Sequence, residues 1–446
     1  MKFTTKNPEK SLHLVSLGCT KNLVDSEIML GKLKDYKIID DATTADVIIV
    51  NTCGFIDSAK EESINTILNL HDERKEESVL VMAGCLSERY KEQLQEELPE
   101  IDVFTGVGDY DKIDILVNEK RSAFTDEVFL LSEDNDRVIT GSSYHAYVKL
   151  SEGCNQTCSF CAIPAFKGKL HSRTLASLVK EVKNLVKNGY KDFSFVSQDS
   201  SSYLRDLDIK DGLERLIEEV NKIEGVKTAR ILYLYPSTTE LSLIEKIKDS
   251  DIFENYFDMP LQHISSSVLK IMKRGKGVEK LNELMDAMRA VPNSFVRTTF
   301  IVGHPGETIE DFQELCDYVE NYGFDRANVF SYSDEDGTGA YERTDKIEQD
   351  EIDRRADVLG EIIARKTQES LEAEVGKTFS VYVDGESDEH EYLLSARKSS
   401  WAPDIDGEIY INDNSIEGQI KFGSQYEVEV SELVGDKLLA KAIKEL

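Results

Sequence analysis

Three cysteines, Cys154, Cys158 and Cys161, stand within one short stretch, Ser151-Glu152-Gly153-Cys154-Asn155-Gln156-Thr157-Cys158-Ser159-Phe160-Cys161-Ala162-Ile163-Pro164. Thiolates are the soft ligands that cluster iron takes, and CxxxCxxC spacing lets one loop point three of them inward. A cubane has four irons, so three cysteines leave one iron uncapped and able to bind a substrate, just as catalytic zinc sites keep open a position that structural sites close. The chemistry this spacing implies is reactive rather than purely electron-carrying. Two other readings stand beside it. A structural zinc site would want a fourth Cys or His close by, and the next histidine, His171, lies beyond Pro164 and Gly168 in a stretch that reads as loop. A disulfide with one spare thiol is the other.

Composition limits these choices. The chain has 446 residues, 40% of them apolar and only 8 of them Pro, enough for two or three domains with real cores and no long Pro-rich linker. No apolar run approaches the roughly eighteen residues that cross a bilayer. Met1 to Lys10 is polar, and the following Leu12-His13-Leu14-Val15 is too short for a signal-peptide core. The cytoplasm is the expected location. Thiols stay reduced there, so an odd count of seven cysteines reads as ligands or buried residues rather than a disulfide framework. The formal net charge is −32, from 85 acidic and 53 basic residues. Nucleic-acid binding draws on Lys and Arg, so this balance speaks against direct nucleic-acid binding and suits a basic partner; a well-solvated surface is the plainer account.

The elements that must position the cysteines recur in the first hundred residues. Three apolar runs, Leu12 to Gly18, Asp46 to Thr52 and Val79 to Gly84, each end at a cysteine, Cys19, Cys53 and Cys85, and each leads into a helical pattern. Short continuous Val- and Ile-rich runs of this kind predict parallel strands covered by helices on both faces. Ligands gather at the carboxyl ends of such strands, so the three cysteines are placed on one edge. A lone Cys at a strand end is more often a small packing residue; three at equivalent positions argue for a site.

Thr125 to Thr140 reads as a junction. From Tyr144 to about residue 335, six strand candidates (146–150, 193–197, 231–234, 256–259, 296–302 and 327–330) alternate with helical stretches such as 175–187, 213–223 and 309–322. This predicts a partial (β/α)6 barrel with the cysteine loop after its first strand, at the face where barrel sites are built. Gln198 and Asp199 end the second strand and Arg297 lies in the fifth, candidates for substrate or cofactor contacts, although strand-end polar groups also cap helices. Cys316 falls in a helical pattern without a partner and reads as packing. Gln349 to Glu374 predicts a bridging helix. Beyond it short alternating runs (379–383, 408–411, 426–430) with turns at Asp384-Gly385, Asp406-Gly407 and Glu417-Gly418 predict a small antiparallel β-barrel.

CxxxCxxC with an aromatic before its last Cys resembles the radical S-adenosylmethionine (SAM) enzymes, and the run from Gly153 to Pro164 is similar to their methylthiotransferase branch. Ser16-Leu17-Gly18-Cys19-Thr20-Lys21-Asn22, Asn51-Thr52-Cys53-Gly54-Phe55 and Ala83-Gly84-Cys85-Leu86 resemble the three cysteine motifs of that branch's first domain, which hold an auxiliary cluster. The end of the chain resembles its TRAM domain. The resemblance covers essentially the whole chain and implies 1–135 as a methylthiotransferase domain of Rossmann or flavodoxin-like α/β type, 140–372 as the radical SAM domain and 375–446 as the TRAM barrel.

It further implies two [4Fe–4S] clusters and SAM as cofactors, with Cys154, Cys158 and Cys161 holding the cluster whose open iron chelates SAM. Phe160 would sit by the adenine, and an electron donor of ferredoxin or flavodoxin type and a monomeric enzyme are expected. The hard chemistry, hydrogen abstraction from an unactivated carbon, belongs to the cofactor while the protein supplies position and exclusion of water. Stretches such as Tyr256 to Ser265 and Phe330 to Thr338 resemble the branch that modifies an aspartate of a small-subunit ribosomal protein, a strongly basic substrate. The other branch modifies a prenylated adenosine in transfer RNA. Residues 376–446 hold seven Lys or Arg against fifteen Asp or Glu, a poor RNA clamp and a plausible dock for a basic protein. Lys167, where the family usually has Arg, keeps the charge but loses the planar fork, and Arg173-Thr174 replaces the common Arg-Pro.

Overall fold

Residues 12–16, 47–52 and 79–84 become parallel strands because each is an apolar run that can be covered on both sides. The structure, a computed structural model, describes residues 10–275, 277–416 and 418–446. The polar start before Lys10 and Glu417 of the Glu417-Gly418 turn lie outside the described residues. The first unit runs β1 (Ser11–Ser16), α1 (Thr20–Lys32), β2 (Lys37–Ile38), β3 (Val47–Thr52), α2 (Asp57–Glu73), β4 (Val79–Gly84), α3 (Cys85–Arg89), α4 (Lys91–Glu97), β5 (Val103–Phe104) and α5 (Ile113–Glu119). The sheet order is β2-β1-β3-β4-β5 with every pair parallel. Alternate residues of the central strands feed two cores. Val47, Ile49, Val79 and Val81 pack toward α1 and α5, while Ile48, Val50, Leu80 and Met82 pack toward α2 and α4. β2 and β5 escaped the sequence reading because two residues carry no period.

The second unit holds β6 (His145–Lys149), β7 (Ser151–Glu152), α6 (Ile163–Lys167), β8 (His171–Ser172), α7 (Leu175–Lys187), β9 (Asp192–Val196), α8 (Gly212–Val220) and β10 (Thr228–Ile231). It continues with α9 (Leu241–Lys248), β11 (Tyr256–Asp258), α10 (Ser266–Ile271), α11 (Val278–Ala290), β12 (Phe295–Val302), α12 (Ile309–Tyr322) and β13 (Arg326–Ser331). Two parallel three-stranded sheets, β10-β9-β6 and β11-β12-β13, form the partial six-stranded barrel. One strand differs from expectation: the apolar run 231–234 predicts an extended segment, yet β10 ends at Ile231. Tyr233 takes φ +63°, which no strand accommodates, and its amide donates to the Asp258 carboxylate at 3.0 Å instead of to a neighbouring strand. Cys316 lies buried in the barrel's helix-facing core, as a packing residue should.

Helix α13 (Gln349–Glu372) leads to a closed barrel of β14 (Thr378–Glu386), β15 (Leu394–Lys398), β16 (Ile409–Asn414), β17 (Gln425–Val434) and β18 (Lys437–Glu445). It is not wholly antiparallel: β16 and β18 pair in parallel, and that nonlocal pairing closes the barrel. This barrel seals the end of the (β/α) barrel where the strands begin. Asp192, first in β9, is buried against Arg230 and Arg397, which hold its carboxyl well below the usual range once burial is overcome. Tyr147 Oη donates to Pro403 O at 2.8 Å, and Arg326 Nε donates to Asp406 O at 2.7 Å. Trp401 packs against Phe295, the first residue of β12. The loop that bears the cysteines lies at the other end of the same strands. None of the described helices is long and apolar enough to cross a membrane.

Candidate functional site

The cysteine loop is a hairpin pinned at its base. β7 pairs antiparallel with β8, and Cys154 N donates to Gly168 O at 3.1 Å. Gly153 (φ +75°) allows this closure, since a Cβ there would come within 2.0 Å of Lys169 O. Asn155 Oδ1 accepts from Leu170 N at 3.1 Å, and Cys161 N donates to Cys158 O at 3.2 Å, which sets the turn between the last two thiols. Ser159 fastens the tip to the barrel: its amide donates to Met272 O, its carbonyl accepts from Ala340 N, and its hydroxyl bonds His304 Nε2 at 3.0 Å. The Cys158 sulfur has two side-chain partners, Tyr235 Oη at 3.4 Å and the Arg274 guanidinium at 3.5 Å.

The other three cysteines come from three strand ends. Cys19 follows β1 and opens α1, Cys53 follows β3, and Cys85 follows β4. In a sheet of order 2-1-3-4-5 the strands reverse direction of winding between β1 and β3, the place where open α/β sheets bind ligands, and Cys19 and Cys53 flank it. Asn22 knits these ends together. Its amide nitrogen donates to Leu17 O and Thr52 O, both at 3.1 Å, and its side-chain oxygen accepts from the Cys85 thiol at 3.5 Å. Gly18 (φ +83°) lets the β1 loop lie on Cys53, where a Cβ would meet that sulfur at 2.9 Å. Asn22 was missed as a site residue although it stands inside the first cysteine motif; an amide three residues after the cysteine is its only signal.

Both sets open onto one cavity of about 540 Å³, within the roughly 300–1,000 Å³ typical of cofactor sites, and all six thiols line it. Phe160, Gln198 and Arg297 also reach its wall. Asp199 stays behind it, accepting from Ser202 N at 3.2 Å and Gln156 Nε2 at 2.7 Å, so its carboxylate caps a turn and holds the cysteine loop. Gln198 Nε2 donates to Glu152 at 2.7 Å, and Arg297 pairs with Asp258 at 3.1 Å and with Asp406 at 3.4 Å. The two sets are held in register by a buried quartet: Lys149 bonds Asp25 of α1 and Glu152 beside the loop, and Lys167 lies 3.3 Å and 3.4 Å from the same two carboxylates. Lys167 thus makes point-charge contacts of the kind an ammonium can make.

Burial pushes the Cys53 and Cys154 thiols up to about 11, and Cys85 and Cys161 up to about 12. Thiols so placed ionise when a metal takes the thiolate, which couples proton release to binding. Cys19 goes the other way. Burial raises it, but the Lys21 ammonium and the Asn22 and Lys21 amides at the start of α1 outweigh burial and lower it. Among the described residues no three His, Cys, Asp or Glu side chains close on a point that would hold a single metal ion. The thiols instead ring a shared space, and all-thiol donors in sets of three suit iron–sulfur clusters.

Three family models match the chain: Uncharacterized protein family UPF0004 over residues 11–106, the Radical SAM superfamily over 148–319 and the TRAM domain over 375–443. Among curated relatives, the ribosomal protein uS12 methylthiotransferase RimO of Aliarcobacter butzleri (strain RM4018) is 79% identical over 446 residues, all of both chains. That of Sulfurimonas denitrificans is 63% identical over 429 residues, 96% of this chain and 98% of the relative. The chain belongs to the ribosomal protein uS12 methylthiotransferase family. A solved radical S-adenosylmethionine methyltransferase, TsrM from Kitasatospora setae, with cobalamin and a [4Fe-4S] cluster bound, matches with a TM-score of 0.52 at 14% identity over 72% of each chain, a likeness of fold. Members of this family are radical SAM enzymes, and SAM and [4Fe–4S] clusters are their cofactors. Of the residues lining the cavity, Arg274 carries no functional signal in the sequence, whereas Lys21 stands inside the first cysteine motif.

Proposed function

We propose that the chain is a radical SAM methylthiotransferase that adds a methylthio group to the β-carbon of an aspartate in small-subunit ribosomal protein twelve. The observation that carries this reading is the single cavity lined by both cysteine triads. Cys154, Cys158 and Cys161 would hold the SAM-binding cluster and Cys19, Cys53 and Cys85 the auxiliary one. The two clusters and SAM, when bound, supply one-electron cleavage of SAM for hydrogen abstraction from carbon, and the sulfur and methyl that replace the hydrogen.

The chain's own residues do the rest. Phe160 and Gln198 form the wall on the SAM side, and Arg297 ties the barrel floor, through Asp258 and Asp406, to the cavity. Phe55, Ile56 and Phe330 shield the cavity and extend it into an adjoining pocket of about 140 Å³ toward Glu335, which offers the substrate a way in. The TRAM barrel plugs the opposite end, so the substrate enters on the cysteine side. The acidic balance of the chain suits a basic ribosomal protein, and an external donor of ferredoxin or flavodoxin type supplies electrons to the monomer. The working boundaries are 1–135, 140–372 and 375–446; regular structure is interrupted between α5 and β6 and between α13 and β14.

The test is to incubate the reconstituted protein anaerobically with SAM, reductant, sulfide and purified ribosomal protein twelve. A mass gain of one methylthio group on a single aspartate is expected. An unmodified ribosomal protein, with methylthio-adenosine appearing in transfer RNA treated in parallel, would replace this reading with the tRNA one.

A further inference from the structure

The chain carries a net charge of −32, yet among the described residues no Asp or Glu lines the main cavity, while Lys21, Lys167, Arg274 and Arg297 all do. Three of these cations are already engaged. Lys167 sits between Asp25 and Glu152, and Arg297 between Asp258 and Asp406. Arg274 bonds Pro260 O and the Cys158 sulfur and lies 4.1 Å from the Tyr235 ring centroid. Lys21 differs. Among the described residues no carboxylate lies within ion-pair distance of it, and its ammonium rests 3.4 Å from the centroid of Tyr233, a residue of the barrel.

Its position makes this more telling. Lys21 is the second residue of α1, at the positive end of the helix dipole, where a cation is disfavoured. A largely desolvated ammonium at such a place costs free energy unless an anion meets it, and local rules are broken this way mainly at functional sites. Tyr233 beneath it is held in a left-handed conformation, φ +63°, by its amide bond to Asp258. The cation is thereby carried by the first unit and its aromatic seat by the second, both on the wall of the cavity that the two triads share.

We propose that Lys21 is the residue that reads the substrate's side-chain carboxylate, and so makes the enzyme specific for an aspartate. This rests on the function proposed above. The carbon that receives the methylthio group is one bond from the carboxyl carbon, so a carboxylate necessarily enters the cavity with it. There it loses its water, and an ion pair with an ammonium that no carboxylate engages offsets that loss. A neutral asparagine at the same position gains nothing from Lys21.

The experiment uses the cluster-loaded protein without SAM and measures binding of fluorescently labelled ribosomal protein twelve carrying Asp or, in a second preparation, Asn at the target position. The wild type is expected to bind the Asp form about tenfold or more tightly than the Asn form, as suits a charged hydrogen bond in a buried site. Lys21→Met should bind both forms within about twofold, and Lys21→Arg should recover most of the preference. Iron content and the visible spectrum of Lys21→Met should match the wild type. An Asp preference that survives in Lys21→Met overturns the proposal. So does loss of about half the iron in both Lys21→Met and Lys21→Arg, which would make Lys21 a support for the Cys19 site. If the wild type itself leaves ribosomal protein twelve unmodified while discriminating Asp from Asn through Lys21, the functional reading falls and the carboxylate site stands.

Discussion

Two triads of cysteines face one cavity and are built in opposite ways. Cys154, Cys158 and Cys161 lie within eight residues on one hairpin, shaped by bonds such as Cys154 N to Gly168 O and Cys161 N to Cys158 O and anchored to the barrel at its tip through Ser159. Cys19, Cys53 and Cys85 come from three strand ends, aligned only because β1, β3 and β4 run parallel in neighbouring positions. The first is local geometry, the second a consequence of topology. A hairpin can be rebuilt on many scaffolds and can flex as a unit. A site distributed over a sheet inherits the sheet's rigidity and fails if the sheet does.

The largest expected effect separates the roles of the two. In Cys158→Ala the protein should lose about half its iron and release no deoxyadenosine from SAM. In Cys53→Ala iron should fall by a similar share, yet deoxyadenosine should still appear while methylthiolation stops. Iron assay and chromatography of anaerobic turnovers read both. If Cys53→Ala abolishes SAM cleavage as completely as Cys158→Ala, the two triads are one functional unit and the contrast drawn above is wrong.

The same contrast explains what was legible in the residues alone. The hairpin triad declares itself through spacing, because its cysteines are neighbours in the chain. The distributed triad shows only as a repeated coincidence of apolar run and cysteine, and needs a sheet model to become a site. That both triads share one cavity was not legible at all. It depends on Lys149 meeting Asp25, 124 positions away, and on the Tyr233 turn that cuts β10 short. Five of the six barrel strands could be read because buried parallel strands are continuous apolar runs; the third was displaced by the apolar 231–234 that follows β10, and the parallel closure between β16 and β18 is a nonlocal choice that no period records. Asp199 was placed at a strand end, which says that a polar group is present but not whether it faces the cavity or caps a turn.

A smaller effect tests how much each site tolerates in its backbone. At Gly153 an added Cβ meets a backbone oxygen at 2.0 Å, which cannot yield without opening the hairpin. At Gly18 it meets the Cys53 Cβ at 2.8 Å and Sγ at 2.9 Å, a less severe clash of which only the sulfur can turn away. Both glycines have positive φ, so each alanine also carries conformational strain. Gly153→Ala should therefore cost roughly 3 kcal/mol and Gly18→Ala roughly 2 kcal/mol, measured as the shift in urea midpoint of the iron-free chain. Equal costs would mean that the β1 loop is as rigidly seated as the hairpin and that neighbouring side chains give it no slack.

The smallest effect concerns acid, and it bears on the barrel that carries the hairpin. His263, fully buried just after β11, is lowered to about 3, chiefly by burial, with His304 and Arg355 opposing its charge and Asp311 favouring it. Its Nδ1 accepts from Ser265 N at 3.0 Å, a bond that a protonated ring nitrogen would lose. Because the folded pKa lies below the unfolded value of about 6.5, the unfolded chain binds the proton first, and the stability present above pH 6.5 is lost as pH falls toward 3. The slope from this one group is at most about 1.4 kcal/mol per pH unit. Ser265 precedes α10, whose C-terminal neighbour Met272 receives the Ser159 amide, so acid loosens the hairpin's anchor while leaving the parallel sheet's own strand pairing untouched. Urea midpoints of the iron-free chain between pH 7.5 and 5 should fall less steeply in His263→Asn than in the wild type. An unchanged slope would place the acid sensitivity elsewhere and remove this difference between the two sites.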